Sequence, residues 1–171
     1  MEKRNRPASN DVRLDDIRSP ELIEKHDLLW SRPGYLIRRL HQAHVALFME
    51  ECADVNITPV QFGFLTILDG GAKLDQATLG AEVGIDRTTT ADVVNRLEGR
   101  GLIRRETNPG DRRMRIVSIT PEGRDFVRSV VSRVEAAQVK FLAPFSEQER
   151  AAFLKLAAKL ADQSATPNAK E

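Results

Sequence analysis

Several features that the chain lacks exclude whole classes of protein. Its 171 residues include a single cysteine, which excludes an intramolecular disulfide framework. No apolar run approaches the roughly 18 residues that a membrane-spanning helix needs, and the charged N-terminal stretch has no apolar core typical of a secretory signal. We therefore expect a soluble cytoplasmic protein with no membrane partner.

The sequence also lacks the motifs of common enzymes. No glycine-rich phosphate loop, no Gly-x-Ser-x-Gly motif and no histidine beside a candidate nucleophile occur. His41 and His44 lie one turn apart in a predicted helix, but Cys52 follows about 12 Å further along its axis. A closed zinc site needs four ligand atoms, each within about 2.3 Å of the metal. We predict neither an enzyme nor a metal or cofactor site.

The chain has almost no net charge, because its 26 Lys and Arg residues are balanced by 25 Asp and Glu residues, which leaves a formal charge of +1. The charge is nevertheless uneven, because residues 86–115 contain eight arginines, no lysine and five acidic residues. Arginine favours forked contacts with phosphates and insertion into narrow minor grooves. The alternative is a solvated charged hairpin that binds nothing.

Capping residues divide the chain into helices. Thr58 with Gln61 and Ser146 with Glu149 are capping boxes, and Thr120-Pro121 opens another helix. Between these signals the apolar spacing predicts helices over about 35–55, 58–69, 75–83, 86–100, 120–141 and 146–160, with strands at Leu102–Glu106 and Met114–Ile119 joined by an Asn-Pro-Gly turn. Two apolar stripes on the first of these helices mean burial on much of its circumference, for which a partner subunit is one explanation. The fold class is therefore mainly α with a small β-hairpin.

The segment from Asp86 to Arg100 has one apolar and one small polar face. A helical wheel places Val93, Val94 and Leu97 on the buried side, together with Thr90. The opposite side carries residues that donate and accept hydrogen bonds, which suits a helix in a major groove, and its N-terminus offers free N–H groups to a phosphate. Asp92 is unfavourable near phosphates. It is expected either to accept from a cytosine amino group or to hold a neighbouring arginine.

Three stretches of sequence carry a resemblance to a known family. They are Leu79–Asp86, TTTADVVNRLEGRGLIRR (88–105) and NPGDRRMRIVSITPEG (108–123). With them the chain resembles the MarR family of winged-helix regulators over about Tyr35–Leu160. The resemblance implies a winged helix-turn-helix with a helical dimerisation region. It also implies a transcriptional regulator that acts as a repressor on a palindromic duplex DNA operator. The expected DNA-binding residues are Arg87, Thr88, Thr89, Asp92, Asn95, Arg96, Asp111, Arg112, Arg113 and Arg115.

The resemblance also implies an organisation of the chain. A flexible arm and lead-in occupies residues 1–30, a single domain residues 31–163 and a disordered tail residues 164–171. Within the domain, the DNA-binding lobe spans about 58–120, and a homodimer forms through helices at about 35–55 and 121–163.

The control signal is expected between these two regions. The opening Gly34–Gln42 looks like the branch that regulates degradation of aromatic compounds, whose effectors include aromatic acids and their coenzyme A thioesters. Aromatic rings with a few Arg and His side chains suit such a ligand, although the same residues are compatible with ordinary core packing. The candidate effector residues are Trp30, Tyr35, Arg38, Arg39, His41, His44, Phe48, Phe62 and Phe64.

Two other functions stay open. A thiol-based redox sensor would use Cys52, but its apolar stripe and the preceding Glu50 and Glu51 disfavour a thiolate. The second alternative is a winged-helix protein-interaction module that does not bind DNA.

Overall fold

The structure, a computed structural model, describes residues 27–108, 110 and 115–165. The expected N-terminal arm, apart from its last four residues, and the last six residues of the expected tail lie outside this range. The residues up to Ala43 and those from His44 onward form two separate units.

The secondary structure is mainly helical with one small sheet, as the sequence predicts. None of the described helices is both long and apolar enough to cross a membrane. In chain order the elements are α1 (Asp27–Trp30), α2 (Pro33–Glu51), α3 (Pro59–Asp69), β1 (Leu74–Asp75), α4 (Gln76–Val83), α5 (Arg87–Gly99), β2 (Ile103–Thr107), β3 (Arg115–Ile119), α6 (Pro121–Phe141) and α7 (Glu147–Ala165).

The predicted capping residues begin the helices. The Thr58 hydroxyl accepts from the Gln61 N–H at 3.2 Å, and the Gln61 side chain accepts from the Thr58 N–H at 3.1 Å. Thr120 caps α6 by accepting from the Gly123 N–H at 3.0 Å. These short-range hydrogen bonds satisfy N–H groups that the first helical turn leaves unpaired, so the helix starts agree with the sequence.

The sheet has three strands rather than the two of the predicted hairpin. β2 pairs with β3 in an antiparallel ladder, and β1 joins the other edge of β3 with Leu74 opposite Val117. A two-residue strand is too short to display an alternating pattern, and its partner lies more than 40 residues further along the chain. The sheet order is β1-β3-β2.

The core of the second unit lies between the short helices, the sheet and α6. Leu65 and Leu68 of α3, Leu79 of α4 and Leu97 of α5 are fully buried in it. Phe62 and Ile67 of the same helix are only partly buried. α3 therefore has a core face and a second apolar face.

Candidate nucleic-acid interface and ligand cavity

α4 and α5 form a tightly packed helix-turn-helix. Gly84 ends α4 with φ of +75°, a left-handed conformation that favours glycine. At the crossing of the two helices, a Cβ atom on Gly80 would overlap the hydroxyl of Thr90. Thr90 is 1% exposed and donates to the Asp86 carbonyl at 2.7 Å. The prediction that Thr90 belongs to the buried side of α5 is confirmed.

The other face of α5 is open to solvent. The exposed side chains alternate charged residues with small hydrogen-bonding ones, in agreement with the helical wheel, and DNA contact by each remains a prediction. They are Arg87, Thr88, Thr89, Asp92, Asn95 and Arg96.

The N-terminus of α5 is less available to a phosphate than we expected. The carboxylate of Asp86 accepts from the N–H groups of Thr88 and Thr89 at 2.9 and 3.0 Å. It also accepts from the Thr89 hydroxyl at 2.6 Å, and these hydrogen bonds lower its pKa. Two of the N–H groups expected to be free are thus occupied within the chain.

Two of the eight arginines in this region form ion pairs with acidic residues of the same region. Arg105 of β2 donates its Nε to the Glu98 carboxylate of α5 at 2.9 Å, and its Nη2 forms a further contact with the same group. Arg104 lies 3.1 Å from Glu106. Glu98 therefore offsets the charge of Arg105 within the hairpin, whereas the Arg104–Glu106 pair is about half exposed.

Arg100 has a different structural role. Its guanidinium donates to the carbonyl oxygens of Asn56 and Val55 at 2.7 and 3.3 Å, and it lies 5.0 Å from the centre of the Phe126 ring. It therefore ties the end of α5 to the loop before α3 and to α6.

The remaining described arginines are better placed for an external partner. Arg87, Arg96 and Arg115 are exposed and form no ion pair within the described ranges. Arg87 and Arg115 line the same cleft of about 540 Å³. The cleft brings the start of α5 close to the base of the wing, which is the hairpin formed by β2 and β3. The wing-tip candidates Asp111, Arg112 and Arg113 lie outside the described residues.

A second cavity, of about 430 Å³, lies among four helices of the second unit. Its aromatic walls come from Phe48 of α2 and Phe62 of α3. His44 of α2 and Gln138 of α6 also line it, with the Gln138 side-chain nitrogen 3.0 Å from the His44 Nε2. The cavity thus combines apolar walls with paired polar groups, the usual composition of a small-molecule site.

The candidate effector residues fall into three groups. His44, Phe48 and Phe62 line the cavity, whereas Phe64 is fully buried in the core and does not. The other five lie in the first unit, where the Trp30 and Tyr35 rings pack edge to face at 5.8 Å. The rest of this group is exposed, namely Arg38, Arg39 and His41.

Sequence reasoning missed most of the cavity wall. The missed residues of α3 recur at helical spacing with Phe62, on the face opposite Leu65 and Leu68. A helical wheel of α3 shows two apolar faces, and the second face could have predicted this wall of the cavity. The contributions of α4 and α6 have no such local signal. The missed lining residues are Pro59, Gly63, Thr66, Ile67, Glu82, Val83, Val134 and Gln138.

Cys52 has no exposed surface. Burial raises the pKa of its thiol, Arg133 opposes this, and the nearby Asp54 and Glu51 raise it further. A thiol that is buried and protonated reacts poorly with oxidants, so this environment disfavours the redox-sensing alternative.

Comparison with known proteins agrees with this arrangement. The family description "MarR family" matches residues 55–114. The transcriptional repressor NicR of Pseudomonas putida is 30% identical over 129 residues, covering 75% of this chain and 82% of NicR. The chain belongs to the MarR family. It is a transcriptional regulator of the MarR type, and the homologues are regulators rather than enzymes.

Two solved MarR-type structures are close in fold. PcaV of Streptomyces coelicolor, in complex with its natural ligand, is 36% identical with a TM-score of 0.72, covering 83% of this chain and 96% of PcaV. BpsR of Bordetella bronchiseptica, whose DNA binding is regulated by 6-hydroxynicotinic acid, is 31% identical with a TM-score of 0.72. That match covers 77% of this chain and 94% of BpsR.

Proposed function

We propose that this MarR regulator is a repressor that binds a palindromic operator as a homodimer and releases it when a small aromatic carboxylate binds. The observation that carries the proposal is the 430 Å³ cavity, because its walls combine α3 and α4 with the long helices α2 and α6. A ligand in this cavity contacts α4 of the helix-turn-helix and the long helices at the same time. If the ligand binds one arrangement of these helices more tightly than another, it changes the affinity for DNA.

The proposed DNA contacts begin with α5. Its exposed polar face enters the major groove, where each base pair presents a distinct set of donors and acceptors. Arg87 and Arg115 contact the flanking phosphates from their shared cleft. Asp111, Arg112 and Arg113 complete the proposed surface at the wing tip, with an arginine in the minor groove.

The proposed dimer uses the long helices. Val139 of α6 and Leu154, Leu156 and Leu160 of α7 are each more than half exposed, at 55–63%. Large apolar side chains that stay exposed on these two helices are of the kind that an interface covers. A two-fold partner would cover them and set the two copies of α5 about 34–36 Å apart, one turn of DNA. This division into a lobe at 58–120 and dimerisation helices remains a proposal.

The cavity suits one substituted aromatic ring. Phe48 and Phe62 provide apolar contact for the ring, and His44 with Gln138 provides hydrogen-bond donors for a carboxylate. A coenzyme A thioester lacks the free carboxylate that these donors suit, so the free acid is the favoured form. Trp30, Tyr35, Arg38, Arg39 and His41 of the first unit remain proposed effector residues.

The experiment measures ligand stabilisation and DNA release together. 6-Hydroxynicotinic acid, benzoic acid and benzoyl-coenzyme A are added to the protein, and both its melting temperature and its affinity for a selected DNA duplex are recorded. An effector must raise the melting temperature and weaken DNA binding. Gln138→Ala should weaken the effector about tenfold, through loss of a hydrogen bond to a charged group.

Gln148→Ala on α7 is the matched control, because Gln148 is exposed and lies outside the cavity. It should respond to the effector like the unmodified protein. The ligand site is refuted if the two variants respond equally, or if an acid that releases DNA binds both with unchanged affinity.

A further inference from the structure

Asp92 is an acidic residue on a surface that is otherwise suited to DNA. It is exposed on α5, one helical turn after Thr88 and one turn before Arg96. A carboxylate that approaches the phosphate backbone is repelled and lowers the affinity for every DNA sequence. Its presence at this position therefore calls for a compensating contact.

The other described acidic residues of this region have structural partners. Asp86 caps α5, Glu98 binds Arg105, and Glu106 lies 3.1 Å from Arg104. Within the described ranges, Asp92 forms no ion pair and no side-chain hydrogen bond. The sequence left two roles open for Asp92, and the structure does not support the one in which it holds a neighbouring arginine.

We infer that Asp92 is a specificity-determining residue that accepts a hydrogen bond from the N4 amino group of a cytosine. This inference rests on the proposed DNA binding by α5. An ionised carboxylate only accepts hydrogen bonds, and the major groove offers donors on cytosine N4 and adenine N6. On adenine the acceptor N7 lies beside the amino group and repels a second carboxylate oxygen. Cytosine is the base whose edge suits Asp92.

The same chemistry makes Asp92 reject the wrong bases. Guanine and thymine present acceptor oxygens to the major groove, and these repel a carboxylate. Asp92 thus lowers affinity for most sequences and spares those with cytosine at one position of each half-site. Its removal should increase non-specific binding while it relaxes the sequence preference.

The test is selection from a random duplex library with the unmodified protein, Asp92→Ala and Asp92→Asn. The unmodified protein should enrich cytosine at one position of each half-site, and binding measurements should show about tenfold to hundredfold preference over other bases there. Asp92→Ala should lose the preference at that position alone. Asp92→Asn should change it to adenine, because an amide pairs with adenine N6 and N7.

Glu147→Gln, at the exposed start of α7, is the control for removal of one negative charge and should leave the selected motif unchanged. Circular dichroism should report equal helix content in all variants, since Asp92 is exposed. The inference is overturned if all proteins select the same motif. If the unmodified protein selects no motif, the proposed DNA binding itself fails.

Discussion

Gly80 lies within α4 and has an ordinary helical backbone conformation. What is unusual is the lack of room for a side chain beside its Cα. A Cβ atom there would overlap the Thr90 hydroxyl on α5. The residue is therefore needed for the close approach of the two helices and not for a turn. This approach sets how far the exposed face of α5 stands from α4.

We predict that Gly80→Ala lowers the free energy of unfolding by about 1–3 kcal/mol, the usual effect of overfilling a packed interior. Gly63→Ala is the control, because a Cβ on that α3 glycine would meet Val83 at an ordinary 3.8 Å. It should be neutral or raise stability by about 0.5–1 kcal/mol. Urea denaturation measures both, and equal stabilities would contradict the steric explanation.

At this scale, sequence reasoning succeeds where the partners are close along the chain. The capping roles of Thr58 and Thr120 follow from residue type and spacing, and the structure confirms them. The role of Arg100 could not be read in this way, since its carbonyl partners at residues 55 and 56 lie more than 40 residues away.

At the scale of elements, the contact between Glu98 and Arg105 attaches the wing to α5. The Arg105 backbone N–H donates to the Glu98 carboxylate at 3.2 Å, in addition to its side-chain contacts. Hydrogen bonds from Arg105 lower the pKa of Glu98, and the contact raises the pKa of Arg105. Because the wing leaves the helix at this point, the pair fixes the starting direction of β2.

The lowered pKa of Glu98 predicts a pH dependence. Its stabilisation is present above the unfolded carboxyl value of about 4.3 and is lost as the pH falls through the lower folded value. The stability difference between the unmodified protein and Glu98→Gln should therefore be larger at pH 7 than at pH 3. Urea midpoints across this range measure it.

Glu106→Gln is the control for that experiment, because the Glu106–Arg104 pair is about half exposed and exposed pairs contribute little. It should change the pH dependence much less. A pH-independent difference for Glu98→Gln would contradict the assignment of the carboxylate as the stabilising group.

Whether a helix or strand could be predicted from the sequence depended on how many residues it contains. The long helices and the hairpin strands carry enough residues to display a period, whereas β1 has two residues and was missed. The second apolar face of α3 was missed for another reason. A pattern of apolar residues does not distinguish a face that packs in the core from one that lines a cavity.

At the scale of the whole molecule, the family and fold follow from the sequence, but the ligand cavity does not. Four helices separated by up to about 90 residues contribute its walls, so it exists only after folding. Of the nine candidate effector residues, His44, Phe48 and Phe62 line this cavity. The aromatic and histidine content suggested the ligand chemistry, while the polar partner Gln138 required the structure.

The central claim is that two copies of α5 read one palindrome, and DNA phasing tests it most directly. The affinity of the protein is measured for a selected operator and for the same operator with five base pairs inserted between its half-sites. Half-sites one helical turn apart face the same side of DNA, and the insertion places them on opposite sides. We predict a loss of about a hundredfold or more, approaching non-specific binding. Equal affinity for the two duplexes would contradict the account.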